Sequence, residues 1–245
     1  MVLAQVRISP ILKMGEYVPA LQEQLRHEGY PRFRAEQVQE VAFGPQPRFT
    51  ERERWVFADK DNREAVVLAQ DFVALETNRY GCFENFSARL GQVLGIVGTA
   101  VGASLSDRLG LRYVDLILPA AGETLDEYLQ SKLHGLRAGE LAIDKVLNRF
   151  EARGVTGVGQ LVVRLHQNES GAFLPPDLMP PELTPSRVVD KGQIITLLDI
   201  DHFSDQSRDY DPPALIETMW ELHEYTEKAF VSSVSSLALD RWGKE

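Results

Sequence analysis

Two periods alternate along this chain. Val6 and Ile8 alternate with Gln5 and Arg7, which predicts a short strand. Val18, Leu21 and Leu25 then step by three or four, the spacing of one helix face. Pro19 in the first turn and Gly29 before Tyr30-Pro31 delimit that helix. Strand period returns at Val41 and Phe43 and is broken by Gly-Pro-Gln-Pro (44–47). A meander of three strands follows at 54–58, 65–70 and 72–77, with Trp55 and Phe57 sharing a face.

The strongest helical pattern covers 82–101, where Phe83, Phe86, Leu90, Leu94, Val97 and Val101 form one stripe. Residues 111–118 are apolar on both faces and predict a central strand. Thr124 with Glu127 three residues on is a capping box, opening a short helix that runs to about Gly135. A second helix is predicted at 140–150, with Ile143, Val146, Leu147 and Phe150 turned inward. Strands follow at 160–167 and 193–201. A last helix over 213–239 carries Met219, Leu222, Thr226, Phe230, Val234 and Leu237 on its inner stripe. Between them, 171–187 holds Pro175, Pro176, Pro180, Pro181 and Pro185, a spacing that forbids helix and central strand and predicts a long surface loop.

Helices do not alternate regularly with single strands, so a doubly wound parallel sheet is not expected. The expectation is an α+β fold, an antiparallel or mixed sheet with two long amphipathic helices packed on it. Residues 1–245 read as a single domain without a composition break. Two loosely similar halves, 36–119 and 155–240, each run strand pairs into a long helix.

Composition then narrows the function. With 245 residues and 44% hydrophobic content the chain can bury a core without disulfides or metals. A formal charge of −10 disfavours nucleic acid and anionic membrane surfaces as partners. The apolar stretch 90–105 is shorter than the roughly 20 residues a membrane span needs. The lone Cys82 excludes an intramolecular disulfide, and the N-terminus lacks a signal-peptide pattern, so the expected compartment is the cytoplasm.

Two constellations stand out. Gly91, Gly95, Gly98 and Gly102 make a second stripe on the 82–101 helix. Glycine there costs roughly 0.5–1 kcal/mol each, so something is expected to approach that face: another part of the core, or a ligand, partner or second copy. Asp199 and Asp201 share one face at a strand end and could hold a divalent cation, helped by His202 or Asp205. The competing reading is a solvated strand tip. Asp115, mid-strand, is expected to pair with an arginine such as Arg79 or Arg108, and His27, His134, His166 and His223 are expected to be structural or solvated.

Four segments carry a family resemblance: Leu-Arg-His-Glu-Gly-Tyr-Pro-Arg-Phe (25–33); Trp55-Val-Phe with Ala-Leu-Glu-Thr-Asn-Arg-Tyr (74–80), Phe83 and Phe86; Arg-Leu-Gly-Leu-Arg-Tyr-Val (108–114); and Leu222-His-Glu with Ala229-Phe, Ser232 and Trp242-Gly. Together they resemble a sporadically distributed family of bacterial and archaeal proteins designated by a catalogue number rather than a function. Where that pattern continues with Asn-Arg after Arg112-Tyr113, this chain has Asp115-Leu116. No catalytic residues are established for that family, so the resemblance carries no site over, and no cofactor is expected. Its patchy distribution resembles that of defence or toxin-neutralising genes. The expectation is therefore a non-enzymatic binding protein acting on a protein partner or on itself. A small-molecule sensor, or a metal-dependent enzyme at Asp199 and Asp201, are the alternatives.

Overall fold

The computed structural model describes residues 1–42, 48–169, 171–179, 181–185, 187 and 192–242. In chain order the elements are β1 (Val2–Ile8), α1 (Met14–His27), β2 (Arg32–Ala42), β3 (Arg48–Ala58), β4 (Glu64–Ala69), β5 (Phe72–Thr77), α2 (Phe83–Val101) and β6 (Leu105–Ile117). They continue with α3 (Leu125–Tyr128), α4 (Ala138–Leu141), β7 (Arg149–Val155), β8 (Gln160–Asn168), β9 (Ile195–Ser204), β10 (Arg208–Asp209), α5 (Pro212–Ser233) and α6 (Ser236–Trp242). The fold is α+β, with antiparallel pairing throughout the registered ladders. Phe43 and the Gly-Pro-Gln-Pro run lie outside the described residues.

The chain forms two compact units. Unit 1 comprises Met1–Leu111, Glu182–Ser186 and Ser204–Trp220; unit 2 comprises Arg112–Pro181, Arg187–Phe203 and Glu221–Glu245. Both β6 and α5 begin in unit 1 and continue into unit 2, which is why no composition break marks the boundary.

In unit 1 the strands lie in the order β2-β3-β4-β5-β1-β6, with β10 on β6. Alternation sends Phe57, Val66, Leu68, Val73, Leu75, Ala4 and Val6 to one buried face. Met14, Val18, Leu21 and Leu25 of α1 and Phe86, Leu90, Leu94 and Val97 of α2 are buried along the two helices. The helix α1 starts at Met14, so Pro19 sits in its second turn rather than its first. The other sheet face carries the small residues Ala58, Ala65 and Ala74 with Val56 and Val67, and Leu183 packs on it.

In unit 2 the order is β6-β9-β8-β7. Leu161, Val163 and Leu165 of β8 and Leu198 and Ile200 of β9 share one face, packed against Tyr128, Leu129, Leu133, Phe230, Val234, Ala238 and Trp242. The last helical stretch is two helices rather than one. Ser235 breaks it: its N–H bonds the Tyr128 carbonyl at 2.9 Å, and its side chain accepts from the Ala238 N–H in the first turn of α6.

The helix predicted at 140–150 is absent. The α-helical turn there, α4, has only four residues and ends at Ala142 with φ 52°, and β7 takes over at Arg149. Ile143, Leu147 and Phe150 are exposed rather than inward. The segment also alternates Arg149, Glu151, Arg153 against Phe150, Ala152, Gly154, and seven ladder pairs to β8 decide for strand period.

Apolar side chains anchor the proline-rich stretch at Leu174 and Leu183. Leu174 is buried, and Leu183 belongs to a unit 1 core cluster. Prolines deny the backbone a ladder, yet leave side chains free to pack. Pro180 lies outside the described residues.

Candidate functional site

On the open face of the unit 2 sheet, alternation aligns Arg164 and His166 of β8 with Asp199 and Asp201 of β9, Arg164 directly opposite Asp199. Arg112, from β6, reaches the same place. These five residues, with Leu197 and with Pro175, Pro176 and Asp177 from the proline-rich stretch, line a cleft of about 290 Å³.

Asp199 is the hub. Its side chain is 4% exposed. Arg112 donates to it twice, Nε to Oδ1 at 2.7 Å and Nη2 to Oδ2 at 2.8 Å. Arg164 adds Nη1 to Oδ2 at 3.1 Å. A bidentate guanidinium–carboxylate pair is among the strongest side-chain contacts available. The outer edge of Arg112 donates to Asp177, Nη1 to Oδ2 at 2.5 Å and Nη2 to Oδ1 at 3.3 Å. Burial opposes the charge on Arg112, but the hydrogen bonds to Asp199 and Asp177 outweigh it and raise its pKa. Arg164 Nε donates to Glu151 at 2.9 Å, which also accepts from Arg153 Nε at 2.7 Å.

His166 completes the lining. Burial, helped by the charge of Arg149, pushes its pKa down, so the ring is neutral at neutral pH. Its Nε2 is buried without a hydrogen-bond partner. Nearby on β6, burial pushes the Asp115 carboxyl up, and the charge of Asp199 adds to the shift. The arginines expected for Asp115 are engaged elsewhere: Arg79 with Asp59 at 3.1 Å and Arg108 with Asp205 at 3.3 Å.

Asp199 and Asp201 therefore do share a cleft, but the groups expected to help them do not. His202 alternates to the apolar face. Its Nδ1 donates to the Leu222 carbonyl at 3.0 Å and its Nε2 accepts from Thr156 Oγ1 at 2.9 Å. Asp205 belongs to unit 1. Both Asp199 oxygens already accept guanidinium N–H groups, and among the described residues no cluster of three or more His, Cys, Asp or Glu is placed to hold an ion. Sequence reading passed over Arg112, Arg164 and His166 as a site. The period-2 alignment of 164 and 166 was visible in it; the pairing of β8 with β9 was not.

The glycine stripe has three different surroundings. A Cβ at Gly98 would come within 2.7 Å of Tyr210 Cε1, and the missing Cβ lets the Tyr210 hydroxyl donate to the Leu94 carbonyl at 2.8 Å. Gly91 faces Ile216 at 3.5 Å, and nothing lies within 4 Å of a Cβ at Gly95. Gly102 ends α2 with φ 67° and donates to the Gly98 carbonyl.

A second ionic cluster lies on the open face of unit 1. Glu182 accepts from Arg34 and Arg54, and Glu36 accepts from Arg54 at 2.7 Å. Beneath it, Glu76 is buried with Oε2 unpartnered. Burial first, then the negative charge of Glu182, pushes its carboxyl up to about 7.

Among the described residues no helix is long and apolar enough to cross a membrane. No protein-family model, curated protein or solved structure matches the chain.

Proposed function

We propose that this is a binding protein whose unit 2 cleft takes the carboxylate or phosphate group of a small ligand. Arg112 and Arg164 are the anchors, His166 Nε2 is a further donor, and Asp177 is the internal carboxylate that the ligand replaces. The observation that carries this reading is the exposure of one partner of Arg112. Arg112 and Arg164 converge on the buried Asp199, with Asp201 also in the lining and Glu151 holding the outer edge of Arg164, whereas Asp177, the other negative partner of Arg112, is 63% exposed on a single 3₁₀ turn.

Asp177 is largely solvated and Arg112, 11% exposed, keeps both bonds to Asp199 when Asp177 leaves, so the release strands no buried charge. A ligand anion gains the same two-point geometry on Arg112 and adds the His166 donor. The cleft is small for a ligand site, which suits a compact molecule. A metal-dependent reaction at Asp199 and Asp201 would first have to displace both guanidinium groups from Asp199. The protein-binding reading draws on a different surface, the exposed run Leu136, Leu141, Ile143 and Leu147 ahead of β7.

Calorimetric titration with succinate and with inorganic phosphate tests the proposal, with Mg²⁺, Mn²⁺ and Zn²⁺ as comparisons. Saturable binding of at least one anion is expected, weakened by Arg164→Gln and strengthened by Asp177→Asn. Binding of a divalent cation that is lost in Asp201→Asn, with neither anion bound, would overturn it in favour of metal chemistry.

A further inference from the structure

The strand β7 (Arg149–Val155) ends the hydrogen-bonding order of unit 2, and all seven of its residues are exposed. Edge strands are ordinarily blunted, because a row of outward N–H and C=O groups invites pairing. This one carries no proline and has a seven-residue ladder on its inner side only. Val155 is 89% exposed and Phe150 39%. The odd residues Arg149, Glu151 and Arg153 pair with His166, Arg164 and Val162, and so lie on the polar face. The even residues Phe150, Ala152 and Gly154 pair with Leu165, Val163 and Leu161, and so extend the apolar face.

We infer that β7 pairs with the β7 of a second copy of this chain, antiparallel about a two-fold axis normal to the sheet. Such an axis keeps each residue on its own face, so opposed residues must share parity. The register centred on Ala152 is the one that overlaps all seven residues. It sets Glu151 opposite Arg153 of the second copy, twice by symmetry, and Phe150 opposite Gly154. Shifting by two residues either way opposes Arg149 to Arg153 or Arg153 to itself. Charge complementarity and full overlap therefore select the same register. Opposite charges directly across strands stabilise and like charges destabilise, while an aromatic ring over a cross-strand glycine fills the space that glycine leaves.

The pairing buries the edge of Phe150 against a continuation of the Leu165 and Val163 face. The occupant is specific: an edge reading Arg-Phe-Glu-Ala-Arg-Gly-Val is complementary to itself. The exposed Leu147, just before β7, lies where a second copy would extend the contact.

Sedimentation equilibrium of the full chain, with single variants measured alone and mixed, tests this. The wild type is expected to dimerise. Glu151→Arg and Arg153→Glu should each weaken self-association roughly ten-fold or more, since each converts both cross-pairs to like charges. Mixing the two variants should restore dimerisation. In the heterodimer one strand is positive at both positions and the other negative at both, so each cross-pair again joins opposite charges. That recovery separates lost complementarity from lost folding, which mixing cannot repair. A monomeric wild type, single variants that dimerise like the wild type, or a mixture no tighter than its components would overturn the inference.

Discussion

Replacing Glu76 with Gln should make the protein more stable at pH 8 while changing it little at pH 5. Glu76 lies in β5 on the unit 1 face that Leu183 covers, with Oε2 unpartnered and Glu182 nearby. Its pKa rises from an ordinary 4.5 to about 7, so the folded state holds a proton that the unfolded chain has already lost. The unfolded state binds fewer protons between these values, and stability must therefore fall as pH rises through them. The whole shift corresponds to about 3 kcal/mol, of which about 2 kcal/mol is lost between pH 5 and pH 8. Gln is a permanent stand-in for the protonated acid and escapes this loss. Urea unfolding of both proteins at pH 5, 6.5 and 8 measures it, the difference between the two curves cancelling every other titrating group. The hydrogen-exchange protection factors of Leu183 and Thr184, corrected for the base-catalysed intrinsic rate, should fall at pH 8 in the wild type and not in the variant, as the charged Glu76 repels Glu182. A stability difference flat from pH 5 to pH 8, or one in which the wild type gains on the variant as pH rises, would refute the reasoning.

Two further predictions concern sites that the sequence singled out. Gly95→Ala should stabilise by up to about 1 kcal/mol, since its Cβ meets nothing and helix propensity improves, whereas Gly98→Ala should destabilise by about 1–3 kcal/mol through the clash with Tyr210; thermal melting of both resolves them, and equal shifts would contradict the packing. Asp199→Ala should cost about 3–5 kcal/mol by leaving Arg112 and Arg164 without their buried partner, read from denaturant midpoints, and a loss under about 1 kcal/mol would mean Asp199 is not the hub.

Much of the fold was legible because unit 1 follows its patterns closely. The 59–63 turn, the Gln70-Asp71 connection and the α2 stripe each have one period and one punctuating signal. The helix expected at 140–150 is not formed because both periods fit the segment leading into β7, and the choice rests on a ladder with β8, a contact that local pattern does not contain. The cleft was not legible for a related reason. Asp199 and Asp201 were visible as a strand-end pair, but the charges that define their role come from residues 35 and 87 positions away. His202, adjacent in sequence, was drawn into the pair although strand alternation already placed it on the opposite face.

The proline-rich stretch contributes to both ionic clusters, and on the proposed reading it makes one a site and the other a fastening. Each unit has a sheet face left open by its helices, a guanidinium pair on it, and a carboxylate supplied from this stretch: Asp177 in unit 2 and Glu182 in unit 1. The two carboxylates differ in exposure. Glu182 is 9% exposed, is held by both Arg34 and Arg54, and is flanked by Leu183 in the core. Removing it would leave Arg34 and Arg54 with Glu36 as their remaining carboxylate and would unfasten the segment that carries Leu183. Asp177 stands mostly in water, is held through its carboxylate by Arg112, and belongs to a three-residue turn. On the proposed reading its place on Arg112 passes to the anionic group of a ligand. The same pairing chemistry then fixes the chain where the carboxylate is covered and leaves an exchangeable position where it is exposed.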